Sequence, residues 1–348
     1  MEHYAGIDVS LECSSVCVVD ASGKIVGEGK VVSEPEALVQ YFRSHGVSVA
    51  RIGLEAGPLS QWLYAAMRRA GLAVELLETR HVHDAFKAMP VKSDRNDARG
   101  IAQLMRLGWF RPVHCKSIAA QEVRAVLTAR KLVQSKLRDI ENSLRGILRG
   151  FGLKVGPTTA RTFAGRIHVL VAGQANLQMI AHALLAVHAV LLGEFNKLEK
   201  HVRSLARAHV QARQLMTTPA VSPIVALTYA SAIDDPARFK SSKKTGAHFG
   251  LTPKKYQSGE TDVTGRISKI GDAAVREALY QAAHVMLTKP VKGCADLKSW
   301  AMRIARRGGM RKAKVALARK LAVIMHRMLA NDKPFTPAVR TAPVVAAI

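Results

Sequence analysis

The sequence has little of what a secreted, membrane-spanning or base-stacking protein needs. Its four cysteines, Cys13, Cys17, Cys115 and Cys294, include no Cys-x-x-Cys pair in 348 residues. That excludes a disulfide framework and a thiolate zinc site, and leaves reduced, packed thiols. The longest apolar runs, such as Ala189-Val190-Leu191-Leu192, fall far short of the ~20 residues of a bilayer span, so no transmembrane helix is expected. The start, MEHYAGIDVS, lacks the apolar core of a signal peptide, and a cytosolic protein is expected. Aromatics are 5% of the chain, too few for stacking to be the main grip on single strands. The 13 histidines show neither HExxH nor Cys/His finger spacing. Acid is the scarcest resource: 26 Asp+Glu face 52 Lys+Arg, a net charge of +26.

That charge is uneven. Residues 1–112 balance 13 basic against 13 acidic side chains, residues 113–237 carry a net +9, and residues 238–327 a net +16. A field of that sign attracts polyanions and releases phosphate counterions, so nucleic acid is the first partner to consider, bound by backbone and shape contacts to a duplex or folded RNA. A ribosome-like or membrane-surface basic protein is the bland alternative.

Patterning divides the chain. Tyr4–Val9, Ser15–Asp20 and Lys24–Val31 read as a three-strand meander, turning at Ala21-Ser22-Gly23. Helices at Glu34–Ser44, from Pro58 and at Asp94–Leu107 then alternate with strands at Val49–Leu54 and Ala73–Leu77, which describes an α/β sheet of mixed direction. From 120 to 151, Val133, Leu137, Ile140, Leu144, Ile147 and Phe151 form a heptad seam. A second seam runs Leu177, Ile180, Leu184, Val187, Leu191, Phe195, Leu198, Val202, Leu205. The two helices could pair within one chain or meet a second protomer. Beyond 215 the chain is mainly helical with a loop-rich stretch from Gly246 to Gly271, and Arg303–Lys314 reads as a basic turn at Gly308-Gly309. The expected domains are therefore 1–112, 113–212 and 213–333, with a flexible tail at 334–348.

Chemistry is carried by a few acids. Asp8 and Glu55 each stand where an apolar strand ends, the place where α/β sheets bind ligands. Asp94 and Asp97 share one face of a helix start. Four converging carboxylates would raise one another's pKa values unless a divalent cation neutralised them, and an all-oxygen set selects Mg²⁺ or Mn²⁺. An N-cap role is the bland account of Asp94. In the basic segment Ser258 precedes Gly259, flanked by Lys254, Lys255, Arg266 and Lys269; it is a turn residue or a nucleophile towards phosphorus. Further phosphate contacts are expected from Arg306, Arg307, Arg311 and Lys312.

Together these motifs resemble a known family. The GIDVS strand, the GLEAG strand end, the KSDRNDA helix start, DPARFKSSKKTGAHFGLTPKKYQSGE and RISKIGDAAVREALYQAA are similar, over about residues 3–335, to the DEDD transposases of insertion-sequence family one-hundred-and-ten, relatives of the Piv/MooV DNA invertases. The resemblance implies an RNase H-like (RuvC-like) N-terminal domain whose Asp8, Glu55, Asp94 and Asp97 bind Mg²⁺. It implies a coiled-coil assembly region, and a mainly α C-terminal transposase domain with Ser258 as the catalytic serine of a serine recombinase. It also implies double-stranded donor and target DNA, a structured non-coding guide RNA, a homo-oligomer (dimer or tetramer), no membrane, and a cytoplasmic, nucleoid-associated location. One departure stands out: where the family commonly has a Pro-Gly-Ile/Val-Gly hairpin, this chain reads Pro219-Ala220-Val221-Ser222. The rival readings are a RuvC-like resolvase or nuclease using metal-activated water, and a non-catalytic nucleic-acid-binding protein.

Overall fold

A computed structural model describes residues 2–44, 46, 48–87 and 91–337. Its chain divides into two compact units between Lys116 and Ser117.

The first unit opens with an antiparallel meander, β1 (His3–Asp8), β2 (Cys13–Asp20) and β3 (Ile25–Val32). It continues through α1 (Pro35–Ser44), β4 (Val49–Glu55), α2 (Ser60–Arg69), β5 (Val74–Leu77), α3 (Thr79–Phe86) and α4 (Asp94–Leu107). The sheet order is β3-β2-β1-β4-β5, with β4 parallel to β1 and β5 parallel to β4. Every expected strand and helix stands within about two residues of its predicted place. Helix α3 escaped sequence reasoning because only Val82 in it is buried, one apolar anchor being no periodicity. Side chains alternate across the sheet, so Ala5, Ile7, Ile52 and Leu54 pack under α1 and α2, whereas Tyr4, Cys17, Val19 and Leu77 pack under α4.

The second unit contains α5 (Ile118–Gly150), α6 (Phe163–Leu170), α7 (Ala175–Ala208), α8 (Val210–Leu215), α9 (Pro223–Ile233), α10 (Lys244–His248), a hairpin of β6 (Pro253–Ser258) and β7 (Thr261–Ile267), α11 (Ala273–Thr288) and α12 (Ala295–Ala330). Helices α5 and α7 pair antiparallel within the chain: Arg130 meets Glu199 at 2.6 Å and Glu141 meets His188 at 3.2 Å. The seam on α7 is only partly the expected one. Leu177 and Val202 are buried and Ile180 and Leu184 pack against the core, but Ala181, Leu185 and His188 are buried too, whereas Val187 is 52% exposed. The helix has no Lys, Arg, Asp or Glu from Ala175 to Gly193, so its sequence fixes no unique apolar face, and α6 selects one by packing Phe163 and Ile167 into the seam. By length and composition α7 is long and apolar enough to cross a membrane, which corrects the expectation that no such segment exists. Here one side of it is packed on α5 and α6.

In the remainder, α9 is buried along most of its length and Tyr229 donates from its hydroxyl to the Ala322 carbonyl at 2.5 Å. Helix α12 breaks at Gly309 (φ 82°, ψ 160°). Lys320 lies 4.2 Å from the Trp300 ring, groups that a straight helix would hold ~30 Å apart, so α12 folds back as an antiparallel hairpin. The stretch expected as loop from Gly246 to Gly271 contains β6 and β7, whose residues are exposed on both faces up to Ile267 and therefore show no apolar alternation. The expected flexible tail is held at Phe335, whose N–H donates to Thr217 Oγ1 at 2.9 Å; residues 338–348 lie outside the described residues.

Candidate catalytic site

Two glycines place the acids. Gly6 of β1 and Gly53 of β4 are register partners, and both face α4. A Cβ on Gly6 would stand 2.2 Å from the Ala98 carbonyl oxygen and 2.4 Å from the Ala102 nitrogen, so α4 rests directly on the strand backbone. Two residues further along each strand, on the same face, come Asp8 and Glu55. Helix α4 begins over them, bringing Asp94 and Asp97 in its first turn. The Ser93 side chain accepts from the Asn96 N–H and is the N-cap, so capping does not account for Asp94.

The four acids lie near enough to act on one another through their charges. Burial first, then Asp97, Asp94 and Glu55, push the Asp8 carboxyl up to about 6. Burial and Asp97 also raise Glu55, against a hydrogen bond from Thr79. Lys92 is a cation that opposes the rise at both. An open cavity of about 400 Å³ lies at this strand end, lined by Asp8 to Leu11 and Glu55 to Leu59. Its lip is fixed by Ser33, which donates to the Ser10 carbonyl at 2.7 Å and pairs with Ser14 at 2.8 Å. Among the described residues no three carboxylates are gathered closely enough to hold an ion as they stand. The donor set is nonetheless one that hard divalent cations take, four carboxylates from three separate elements with little cationic relief.

Beside the acids lies a pair of cations that sequence reasoning missed. Glu28 of β3 accepts from both Arg95 and Arg99 of α4, with Arg95 Nε and Arg99 Nη2 each 2.9 Å from Oε2. These hydrogen bonds hold the Glu28 carboxyl down at about 2, whereas burial and Glu28 push the neighbouring Cys17 thiol up to about 12. The i, i+4 spacing of two arginines behind an acidic helix start was the available signal; their partner 67 residues upstream was not.

The second unit presents the basic groups. Ser258 is the last residue of β6, opposite Thr261 in the turn, on the strand face shared by Tyr256 and Val263. Lys254, Lys255, Arg266 and Lys269 are exposed further along the hairpin, towards its base, Lys255 pairing with Asp262 at 3.1 Å. The hairpin base is rigid: the Arg276 guanidinium donates to the carbonyls of Phe249, Ile270 and Gly271. Arg306, Arg307, Arg311 and Lys312 are exposed on both sides of the Gly309 reversal. The DPARF stretch, by contrast, is structural. Asp235 caps a short turn, and Arg238 donates to the carbonyls of Ile233 and Ala232 while covering the Phe239 ring at 4.2 Å. At the position where a glycine was expected, Ala220 adopts φ 65°, so the turn keeps a glycine-type conformation without a glycine.

A mixed sheet that ends in clustered acids, in a chain carrying +26, defines an enzyme that processes nucleic acid. Comparison with known proteins specifies which. Residues 5–152 match the DEDD transposase family of IS110, and residues 212–296 match the family described as transposase IS116/IS110/IS902. The chain is 28% identical over 339 residues to the transposase for insertion sequence element IS1111A of Coxiella burnetii, covering 95% of this chain and 90% of that protein. It is 24% identical over 295 residues to a probable family 20 transposase of Pseudomonas aeruginosa, covering 82% and 86%. The chain belongs to the IS110 family of transposases, DNA-processing enzymes that cut and exchange strands for mobility. The link to Piv/MooV invertases and serine recombinases finds no support in these matches, the DEDD transposases being enzymes of a different kind.

Proposed function

We propose that the first unit is an RNase H-like nuclease module in which Asp8, Glu55, Asp94 and Asp97 hold Mg²⁺ (or Mn²⁺), and that Ser258 is the nucleophile in strand transfer. The observation that carries the reading is the convergence of four carboxylates from β1, β4 and α4, each of the other three raising Asp8. The β3-β2-β1-β4-β5 order, antiparallel and then parallel, supports the fold assignment. A bound divalent ion would supply charge neutralisation at the scissile phosphate.

In this reading the Ser258 hydroxyl gives up its proton and forms a P–Oγ bond, the phosphodiester bond to one strand breaks, and that oxygen leaves protonated. A 3′-hydroxyl of a partner strand then attacks the phosphoserine, frees Ser258 and joins the strands without hydrolysis. Ser258 suits the role by standing exposed at the turn of a rigidly based hairpin that carries Lys254, Lys255 and Arg266 towards its base, with Lys269 just beyond it. The hairpin, with Arg306, Arg307, Arg311 and Lys312, would grip donor and target duplex and a structured non-coding guide RNA. The domains would be 1–112 for the metal site, 113–212 for assembly and 213–333 for the serine. The uncharged outer face of the first half of α7, with Met179, Val187 and Val190 exposed, suits a homo-oligomer whose protomers share sites. The enzyme would act in the cytoplasm, at the nucleoid.

Labelled duplex incubated with protein, guide RNA and Mg²⁺ should yield a protein–DNA adduct on a denaturing gel, lost in Ser258→Ala. Cleavage that persists unchanged in Ser258→Ala would replace this reading by the rival one, a nuclease using activated water.

A further inference from the structure

Glu28 lies on the sheet face under α4 and is not one of the four acids of the site. Register places it in a cross-strand row with Cys17, Gly6 and Gly53, the floor on which α4 lies. It is 14% exposed and spends both oxygens on the guanidiniums of Arg95 and Arg99. Those arginines flank the acids in sequence, Arg95 next to Asp94 and Arg99 two residues beyond Asp97, at the same end of the same helix. A guanidinium on a flexible stem within one helical turn of Asp94 and Asp97 is a competitor for any divalent cation they would bind, since it matches carboxylate geometry bidentately. Glu28 removes both competitors at once.

We propose that Glu28 is a positioning residue for the acidic site: it docks the first turn of α4 through Arg95 and Arg99 and keeps their two charges off the carboxylates. This rests on the reading that Asp8, Glu55, Asp94 and Asp97 bind a divalent ion. The role differs from a structural clamp. If Glu28 only tied β3 to α4, removing the arginines as well would leave the site as damaged as removing Glu28 alone. If it sequesters charge, removing them would repair the damage.

The test uses the full-length chain and Mn²⁺ as the probe, with free Mn²⁺ followed by electron paramagnetic resonance and folding checked by circular dichroism. Glu28→Gln is expected to weaken Mn²⁺ binding on the order of tenfold, the scale of one to two opposite charges released within several ångströms of a partly solvated site. The triple variant Glu28→Gln/Arg95→Gln/Arg99→Gln is expected to bind within about twofold of the parent, and carries the test if the single variant does not fold. Unchanged binding in Glu28→Gln overturns the inference, and so does a triple variant as weak as the single one. A parent protein that binds no Mn²⁺, or one whose Mn²⁺ binding is unchanged by Asp8→Asn, overturns the metal reading itself.

Discussion

Replacing Gly6 by alanine tests how the acidic site is built, because the added methyl has nowhere to go. Its carbon would stand 2.2 Å from the Ala98 oxygen and 2.4 Å from the Ala102 nitrogen, both backbone atoms of α4. No rotamer relieves such contacts; the helix must retreat by about 1 Å to reach ordinary van der Waals separation. Ala98, Ile101, Ala102 and Met105 are fully buried beneath it, so the retreat opens the core as well as relieving the clash. Overpacking of this kind costs about 1–3 kcal/mol, which lowers the melting temperature of a unit this size by roughly 4–15 °C. The same shift carries Asp94 and Asp97 away from Asp8 and Glu55, and a displacement of ~1 Å in catalytic groups can cost on the order of 100-fold in rate. Gly53→Ala is the internal control. Its methyl would meet Ile101 Cγ2 at 2.8 Å and the Met105 Cγ and Sδ at 2.9 Å, the ends of side chains that can turn. Calorimetric melts with Mg²⁺-dependent cleavage of labelled duplex should rank Gly6→Ala as much the more damaging. Equal effects, or a Gly6→Ala protein with parental melting and cleavage, would refute the idea that direct helix-on-strand contact sets the site.

Two further outcomes follow from the structure. Because the folded-state carboxyl of Asp8 is raised from 3.8 to about 6, its contribution to stability is fully present below pH 4 and is lost as pH rises through 6. Metal-free protein should therefore gain stability at pH 7.5 on Asp8→Asn, by about 1–2 kcal/mol after allowance for solvent screening, read from urea midpoints; a loss would contradict the field of the other three acids. Ala220→Gly relieves a left-handed alanine costing ~1–2 kcal/mol against ~0.5–1 kcal/mol of glycine entropy, so a net gain of up to ~1 kcal/mol is expected in the same assay. Destabilisation there would mean that the turn does not need φ near 65°.

What the sequence determined by itself was local. Short apolar strands bounded by turns, the α4 stop at Gly108 and the long helices α5 and α7 were all legible, because apolar runs, the 3.6-residue period and caps are encoded within a few residues. The acids were legible too, since Asp8 and Glu55 interrupt apolar strands at their ends. Tertiary structure decided what depends on distant partners. The inward face of α7 was chosen by α6, not by its own uniform apolarity. The β6–β7 hairpin, exposed on both faces, left no pattern to read. The reversal of α12 shows only when Trp300 meets Lys320. Above all, the convergence of Asp94 and Asp97 on Asp8 rests on Gly6 meeting Ala98, and the sequestering of Arg95 and Arg99 rests on Glu28, 67 residues from the first of them. Such contacts are set by strand register and helix docking, which a linear sequence specifies only through the whole core that it folds into.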